Sequence, residues 1–195
     1  KTYELHQSLM DENYHTQKGE QFEIFDPKHR VVTSTKYRDR IPQASFVVNF
    51  MYKEIIPNLI SNNFACIKGK GVDTARKAFK GILRKADMND YCLCADLKGY
   101  FDSISHKSLL NEMTQYISDE WVFKYYKDVI NSNNQEIGIG LGSEINQLSA
   151  VSFLNKLDHL IDNGFFVRYM DDFRFIGTKT ECAHILKLIE EECGR

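Results

Sequence analysis

The sequence predicts an α+β protein in which an antiparallel sheet packs on helices, and two observations carry that expectation. Two stretches of strand-forming residues are each interrupted by a short turn, Gln21 to Phe25 with Arg30 to Thr33, and Phe165 to Met170 with Phe173 to Ile176, which is hairpin punctuation. Around and between them, apolar residues recur at helical spacing. With 195 residues, 43% hydrophobic and 27% charged, the chain has room for one full core or two small ones. Disorder, collagen-like repeats and a disulfide scaffold are excluded by that composition.

In chain order, the first hairpin turns at Asp26-Pro27-Lys28-His29. Pro42 at a helix start, followed by Phe46, Val47, Phe50, Met51, Ile55 and Ile56, predicts a largely buried helix to about Ile60. Asn62-Asn63 breaks it, a loop Lys68-Gly69-Lys70-Gly71 follows, and Thr74 to Ala86 reads as a basic amphipathic helix. Asp90 to Leu97 is too apolar for an exposed strand and is expected at the centre of a sheet. Helices are expected at 106–116, 119–131 and 144–162. The second hairpin carries Asp171-Asp172 at its tip, and a last helix spans about 180–192.

The formal charge of −2 conceals segregation: Lys68 to Lys85 holds seven Lys or Arg against one Asp, and Lys28 to Arg40 holds five against one. Such patches suit anions, a nucleic-acid backbone among them. The five cysteines lack the spacing of a disulfide framework or a four-ligand zinc site. No stretch approaches the roughly 18 apolar residues of a spanning helix, and the opening residues are not a secretory signal, so the expected compartment is cytoplasmic, with no membrane partner.

Asp96 ends one apolar strand and Asp171-Asp172 cap a hairpin 75 residues later. Neighbouring strands that end in carboxylates concentrate negative charge, which is costly unless a cation sits between them. Hard oxygen ligands with open positions suit Mg²⁺, and a pair of such ions serves in-line phosphoryl transfer.

Ala95-Asp-Leu-Lys-Gly-Tyr-Phe-Asp-Ser-Ile-Ser-His106 resembles motif A of reverse transcriptases, and Phe166-Val-Arg-Tyr-Met-Asp-Asp-Phe173 resembles their motif C, a Tyr-x-Asp-Asp box. Gly140-Leu-Gly-Ser-Glu-Ile-Asn-Gln147 resembles motif B. Phe25-Asp-Pro-Lys-His-Arg30 with Tyr37-Arg-Asp-Arg-Ile-Pro-Gln43 is similar to the fingers hairpin and the Asp-Arg-x-x-Gln element of the group II intron, retron and diversity-generating branch.

The resemblance implies a right-hand polymerase, with fingers at residues 1–89 and palm at 90–195, without the helical thumb that follows in the family. The expected activity is that of an RNA-directed DNA polymerase with an RNA template, a DNA or RNA primer and deoxynucleoside triphosphates. Two Mg²⁺ ions, or Mn²⁺, are implied, held by Asp96, Asp171 and the Leu97 carbonyl, with Asp172 shaping the site. Arg40, then Lys36, Arg38 and Arg30, are implied as triphosphate cations. Phe101 would lie under the sugar and exclude a 2′-hydroxyl, Gly142 would allow close backbone approach, and Gln147 would place the template. Tyr169 and Met170 would face the primer end, and Lys68 and Lys70 the nucleic-acid backbone. Leu141 stands where retroviral and group II intron enzymes carry Gln, which implies looser discrimination at the incoming nucleotide. His106 fits the family pattern as a structural helix-start residue. Two other readings stay open: a nucleotidyltransferase that needs no template, and a non-copying binding or assembly domain.

Overall fold

A computed structural model describes residues 2–25 and 28–193. In chain order the elements are α1 (Thr2–Met10), β1 (Glu20–Ile24), β2 (Arg30–Ser34), α2 (Tyr37–Phe46), α3 (Tyr52–Glu54), α4 (Val72–Leu83), β3 (Tyr91–Asp96), α5 (Tyr100–Ser103), α6 (His106–Met113), α7 (Glu120–Asn131), α8 (Glu144–Phe153), α9 (Asn155–Ile161), β4 (Phe166–Tyr169), β5 (Asp172–Gly177) and α10 (Lys179–Cys193). Helices and small antiparallel sheets together make the α+β class. Among the described residues no helix is long and apolar enough to cross a membrane. The chain folds as two compact units, each built from two stretches: residues 1–55 with 101–150, and 56–100 with 151–195.

In the first unit, β1 and β2 form the expected hairpin in the register Glu20↔Ser34 to Ile24↔Arg30. Its turn residues Asp26 and Pro27 lie outside the described residues. The helix expected to begin at Pro42 starts five residues earlier, and Pro42 sits inside α2. The ring removes one backbone donor but its fixed φ is helical. A π-helical segment, Val47–Met51, follows directly. The expectation of a largely buried helix holds for one face only: Val47, Met51 and Ile55 are buried while Ile41 and Val48 are exposed. Asp119 caps α7 by accepting from the Val122 amide at 2.9 Å, and Tyr125, Tyr126, Val129 and Ile130 supply its buried face. His106, at the start of α6, is buried between Asn131 Oδ1 and the Gly138 carbonyl, each 2.9 Å away, the structural role its position implies. A further helix, α1, precedes the hairpin and buries Leu5.

The second unit is built on a three-stranded sheet in the order β3-β5-β4. β3 is therefore an edge strand, and the expectation that it lies at the centre is corrected. The central place belongs to β5, whose Phe173, Phe175 and Ile176 are buried, whereas Tyr91, Cys92, Cys94 and Asp96 are exposed. The pairs Cys92↔Ile176, Cys94↔Arg174, Asp96↔Asp172, Arg174↔Val167 and Asp172↔Tyr169 place all these residues on one face of the sheet. Helix α4 covers part of that face by packing Ala75 and Ile82 against Phe64, Val167 and Ile176. Thr74 fastens its first turn through the Gly71 amide at 2.7 Å. The expected single helix over 144–162 divides at Leu154 into α8 and α9.

Candidate functional site

The second hairpin turns one residue earlier than expected. Tyr169 pairs with Asp172, so the two loop residues are Met170 and Asp171, and Asp172 belongs to β5. Two-residue hairpin loops favour primed turns, whose first loop residue needs a positive φ. Met170 meets that need at φ +59°, a conformation that strains any residue with a Cβ.

This register decides where the acids stand. Asp96, the last residue of β3, is directly opposite Asp172 on the same sheet face, and the Leu97 amide donates to the Asp171 carbonyl at 3.1 Å. The end of motif A is thus bonded to the tip of motif C, which places two strand acids, Asp96 and Asp172, and the turn acid Asp171 at the same end of the sheet. Arg174, on the same face, forms an ion pair with Asp172. Burial pushes the Asp172 carboxyl above the usual range, Arg174 opposes the rise, and Asp96 and Asp171 push it up again.

Among the described residues no three His, Cys, Asp or Glu side chains are grouped so as to hold an ion unaided. Mg²⁺ is commonly held by one or two carboxylates with waters and substrate phosphates completing the octahedron. Asp96, Asp171 and the Leu97 carbonyl, all hard oxygen donors, fit that kind of incomplete cradle.

Beneath the turn lies a buried ion pair. Arg168, fully buried in β4, donates from Nε to Asp158 Oδ1 at 2.6 Å and from NH2 to Asp158 Oδ2 at 2.7 Å. It also donates to the Val151 carbonyl and, from NH1, to the Met170 carbonyl, both at 2.7 Å. Asn63 donates to Asp158 at 3.3 Å, and the Arg168 backbone bonds Asn62 and Phe64. The sequence reading missed this set. The available signal was a charged residue in the middle of an apolar strand, which requires a buried counter-charge.

In the first unit, the Asp-Arg-x-x-Gln element divides its labour. Asp39 is buried and accepts from the Tyr14 hydroxyl at 2.7 Å and the Gln17 amide at 3.0 Å, so it anchors the segment before β1. Arg40 points the other way, into a cavity of about 400 Å³ lined by Thr33, Thr35, Gln43, Gly142 and Ser143. Its guanidinium donates to the Thr35 carbonyl at 3.0 Å and Ser34 Oγ at 3.1 Å. The motif B loop closes this cavity: the Thr33 amide donates to the Leu141 carbonyl at 2.7 Å, and Ser143 Oγ reaches Gln43 at 3.4 Å. Gly142 has φ +117°, and a Cβ there would meet the Thr33 carbonyl oxygen at 2.6 Å. Gly142→Ala is expected to destabilise the unit by about 1–3 kcal/mol. An unchanged denaturation midpoint would show that the loop relaxes freely.

The remaining site residues are dispersed. Lys36 is paired with Glu20, Arg38 lies over the Tyr14 ring at 5.1 Å, and Arg30 is exposed at the start of β2. Phe101, half-buried on α5, accepts from the Ile139 amide through its carbonyl at 2.9 Å. Gln147 lies half-buried in the first turns of α8, and Tyr169 packs against the cluster under α4. Lys68 is exposed, but Lys70 is held at home: its ammonium donates to the Ser61 and Asn63 carbonyls at 2.6 and 3.0 Å and lies 5.2 Å from the Phe64 ring centre. Burial lowers its pKa.

Comparison with curated proteins finds no match. The family described as reverse transcriptase (RNA-dependent DNA polymerase) matches residues 25–195, which span both carboxylate strands, the motif B loop and the fingers-like hairpin's second strand. With that match over most of its length, the chain belongs to the reverse transcriptase family and is a reverse-transcriptase-like nucleotidyltransferase module.

Proposed function

We propose that the chain is the fingers (residues 1–89) and palm (90–195) of an RNA-directed DNA polymerase related to the group II intron, retron and diversity-generating branch. It would add deoxynucleotides to a primer 3′-hydroxyl by two-metal phosphoryl transfer. The observation that carries the reading is the pairing that sets Asp96 opposite Asp172 while the Leu97 amide holds the Asp171 carbonyl. Asp96, Asp171 and the Leu97 carbonyl would hold Mg²⁺, which when bound acidifies the primer hydroxyl and neutralises the triphosphate. Asp172, ion-paired with Arg174, would shape the site beside them.

The chain's own residues supply the rest. Arg40 presents a planar guanidinium suited to two phosphate oxygens. The exposed face of α4, with Lys77 and Lys80, and Arg84 just after its end offer a sequence-independent contact for a nucleic-acid backbone, so binding should weaken steeply as salt rises. Phe101 would close the space a ribose 2′-hydroxyl needs. Phe101→Ala is expected to raise ribonucleotide incorporation about tenfold or more relative to deoxynucleotide. An unchanged dGTP-to-GTP preference would leave Phe101 a packing residue.

The deciding experiment incubates the protein with dNTPs and Mg²⁺ on a primed RNA template and on primer alone. Template-dependent extension supports the proposal. Equal extension without template favours the untemplated nucleotidyltransferase, and binding without extension favours a non-copying module.

A further inference from the structure

We infer that Arg168 is a positioning residue that sets the catalytic turn, a role that rests on the reading of Asp96 and Asp171 as the reacting pair. Asp171 sits in a two-residue loop whose first member, Met170, holds φ +59° despite its Cβ. An L-residue leaves that conformation unless the surroundings over-determine it. Here two contacts do so. From the side, the Leu97 amide takes the Asp171 carbonyl at 3.1 Å. From below, Arg168 NH1 takes the Met170 carbonyl at 2.7 Å.

The clamp is itself fixed at every donor the geometry uses. Asp158 receives the guanidinium bidentately, and the Val151 carbonyl takes a further N–H. The strand that carries Arg168 is bonded through its own amide to the Asn62 carbonyl at 3.0 Å, and the Phe64 amide bonds back to the Arg168 carbonyl at 3.1 Å. A planar fork with several N–H groups can hold a carboxylate and a carbonyl together. A lysine ammonium, a point charge on a flexible stem, cannot reproduce that arrangement. Arg168 touches no reacting atom in this scheme. It transmits the rigidity of α9 to the peptide that precedes Asp171, and so fixes how far the Asp171 carboxylate stands from that of Asp96.

The test compares primer extension as a function of Mg²⁺ concentration for the wild type, Arg168→Lys, Met170→Gly, the double variant and Asp171→Asn, with the folded fraction of each followed by circular dichroism. Arg168→Lys is expected to lower kcat by about 10- to 100-fold, as a displaced catalytic group does. It should also raise the Mg²⁺ needed for half-maximal rate, while primer–template Kd stays within about twofold. Because glycine adopts the turn's φ without strain, Arg168→Lys/Met170→Gly should recover most of the rate of Met170→Gly alone. The paired change Asp158→Leu/Arg168→Met, which leaves no buried charge without its partner, should shift the Mg²⁺ dependence in the same direction and answers the question if the lysine variant folds poorly. Wild-type Mg²⁺ dependence in both variants, or a rate loss that follows the folded fraction and is not restored by Met170→Gly, would overturn the inference alone. Activity retained by Asp171→Asn would overturn both it and the assignment of the site.

Discussion

Replacing Asp96 or Asp171 by Asn is expected to cut template-directed extension by about three orders of magnitude or more while leaving the fold intact. The amide keeps the size of the carboxylate and loses the negative charge that would hold a cation against the triphosphate, a loss of several kcal/mol in the transition state. The structure adds an expectation of opposite sign for stability. Asp96 lies directly across from Asp172, and like charges in that relation destabilise a sheet by roughly 0.2–1 kcal/mol. Asp96→Asn should therefore melt at or slightly above the wild-type temperature. A variant that is both inactive and strongly destabilised would point to a structural role for Asp96, and one with near-normal extension would remove it from the site.

The largest expected effect on stability comes from a residue with no part in the chemistry. Asp158→Ala leaves the Arg168 guanidinium buried without its counter-charge, and breaking a buried pair in this way costs about 3–5 kcal/mol. Against a typical domain stability of about 5–15 kcal/mol, that ranges from about a fifth to the whole of the total. Replacing both partners by apolar residues, as in Asp158→Leu/Arg168→Met, removes the orphaned charge and should return most of the lost stability. Activity should not return with it, because methionine gives the Met170 carbonyl no donor. Chemical denaturation and extension assays on the same preparations separate the two quantities. If the single variant unfolds at the wild-type midpoint, water or another residue compensates the guanidinium.

Local chemistry made much of this legible in the sequence. The hairpins were readable because strand residues and turn residues alternate at short range, and α6, α7 and α10 because caps and helical periodicity agree. What failed depended on partners far away in sequence. The apolar run in β3 was read as a buried central strand, but Cys92 and Cys94 are exposed, and only the pairing with β5 reveals β3 as an edge. The tip of the second hairpin was displaced by one residue because Asp-Asp is a commoner turn element than Met-Asp, and the force that selects Met170 is a guanidinium beneath it. Asp96 and Asp171 stand out in the sequence through their own side chains, and the register brings the strand that ends in Asp96 beside the turn that carries Asp171. Arg168 and Asp158 escaped because a single sequence does not show which of its charges are buried together. Lys70 reads as a free cation in a Gly-Lys-Gly loop, yet two carbonyls of the preceding segment hold it.

The edge position of β3 also has a consequence in time. β4 and β5 are joined by two residues and can zip locally within microseconds, whereas Asp96 reaches Asp172 across 76 positions of chain that include α5 to α9. Closing a loop of that length is entropically uphill until the helices inside it have condensed. The hairpin bearing Asp171 should thus form before the strand bearing Asp96 docks against it, and β3, hydrogen-bonded to a neighbouring strand on one side only, should be the first strand of the sheet to detach. In native-state hydrogen exchange the β3 amides are expected to open at lower free energy than those of β5. On that order the carboxylates of Asp96 and Asp171 are expected to become neighbours only when β3 docks, so the motif C turn should form ahead of its motif A counterpart.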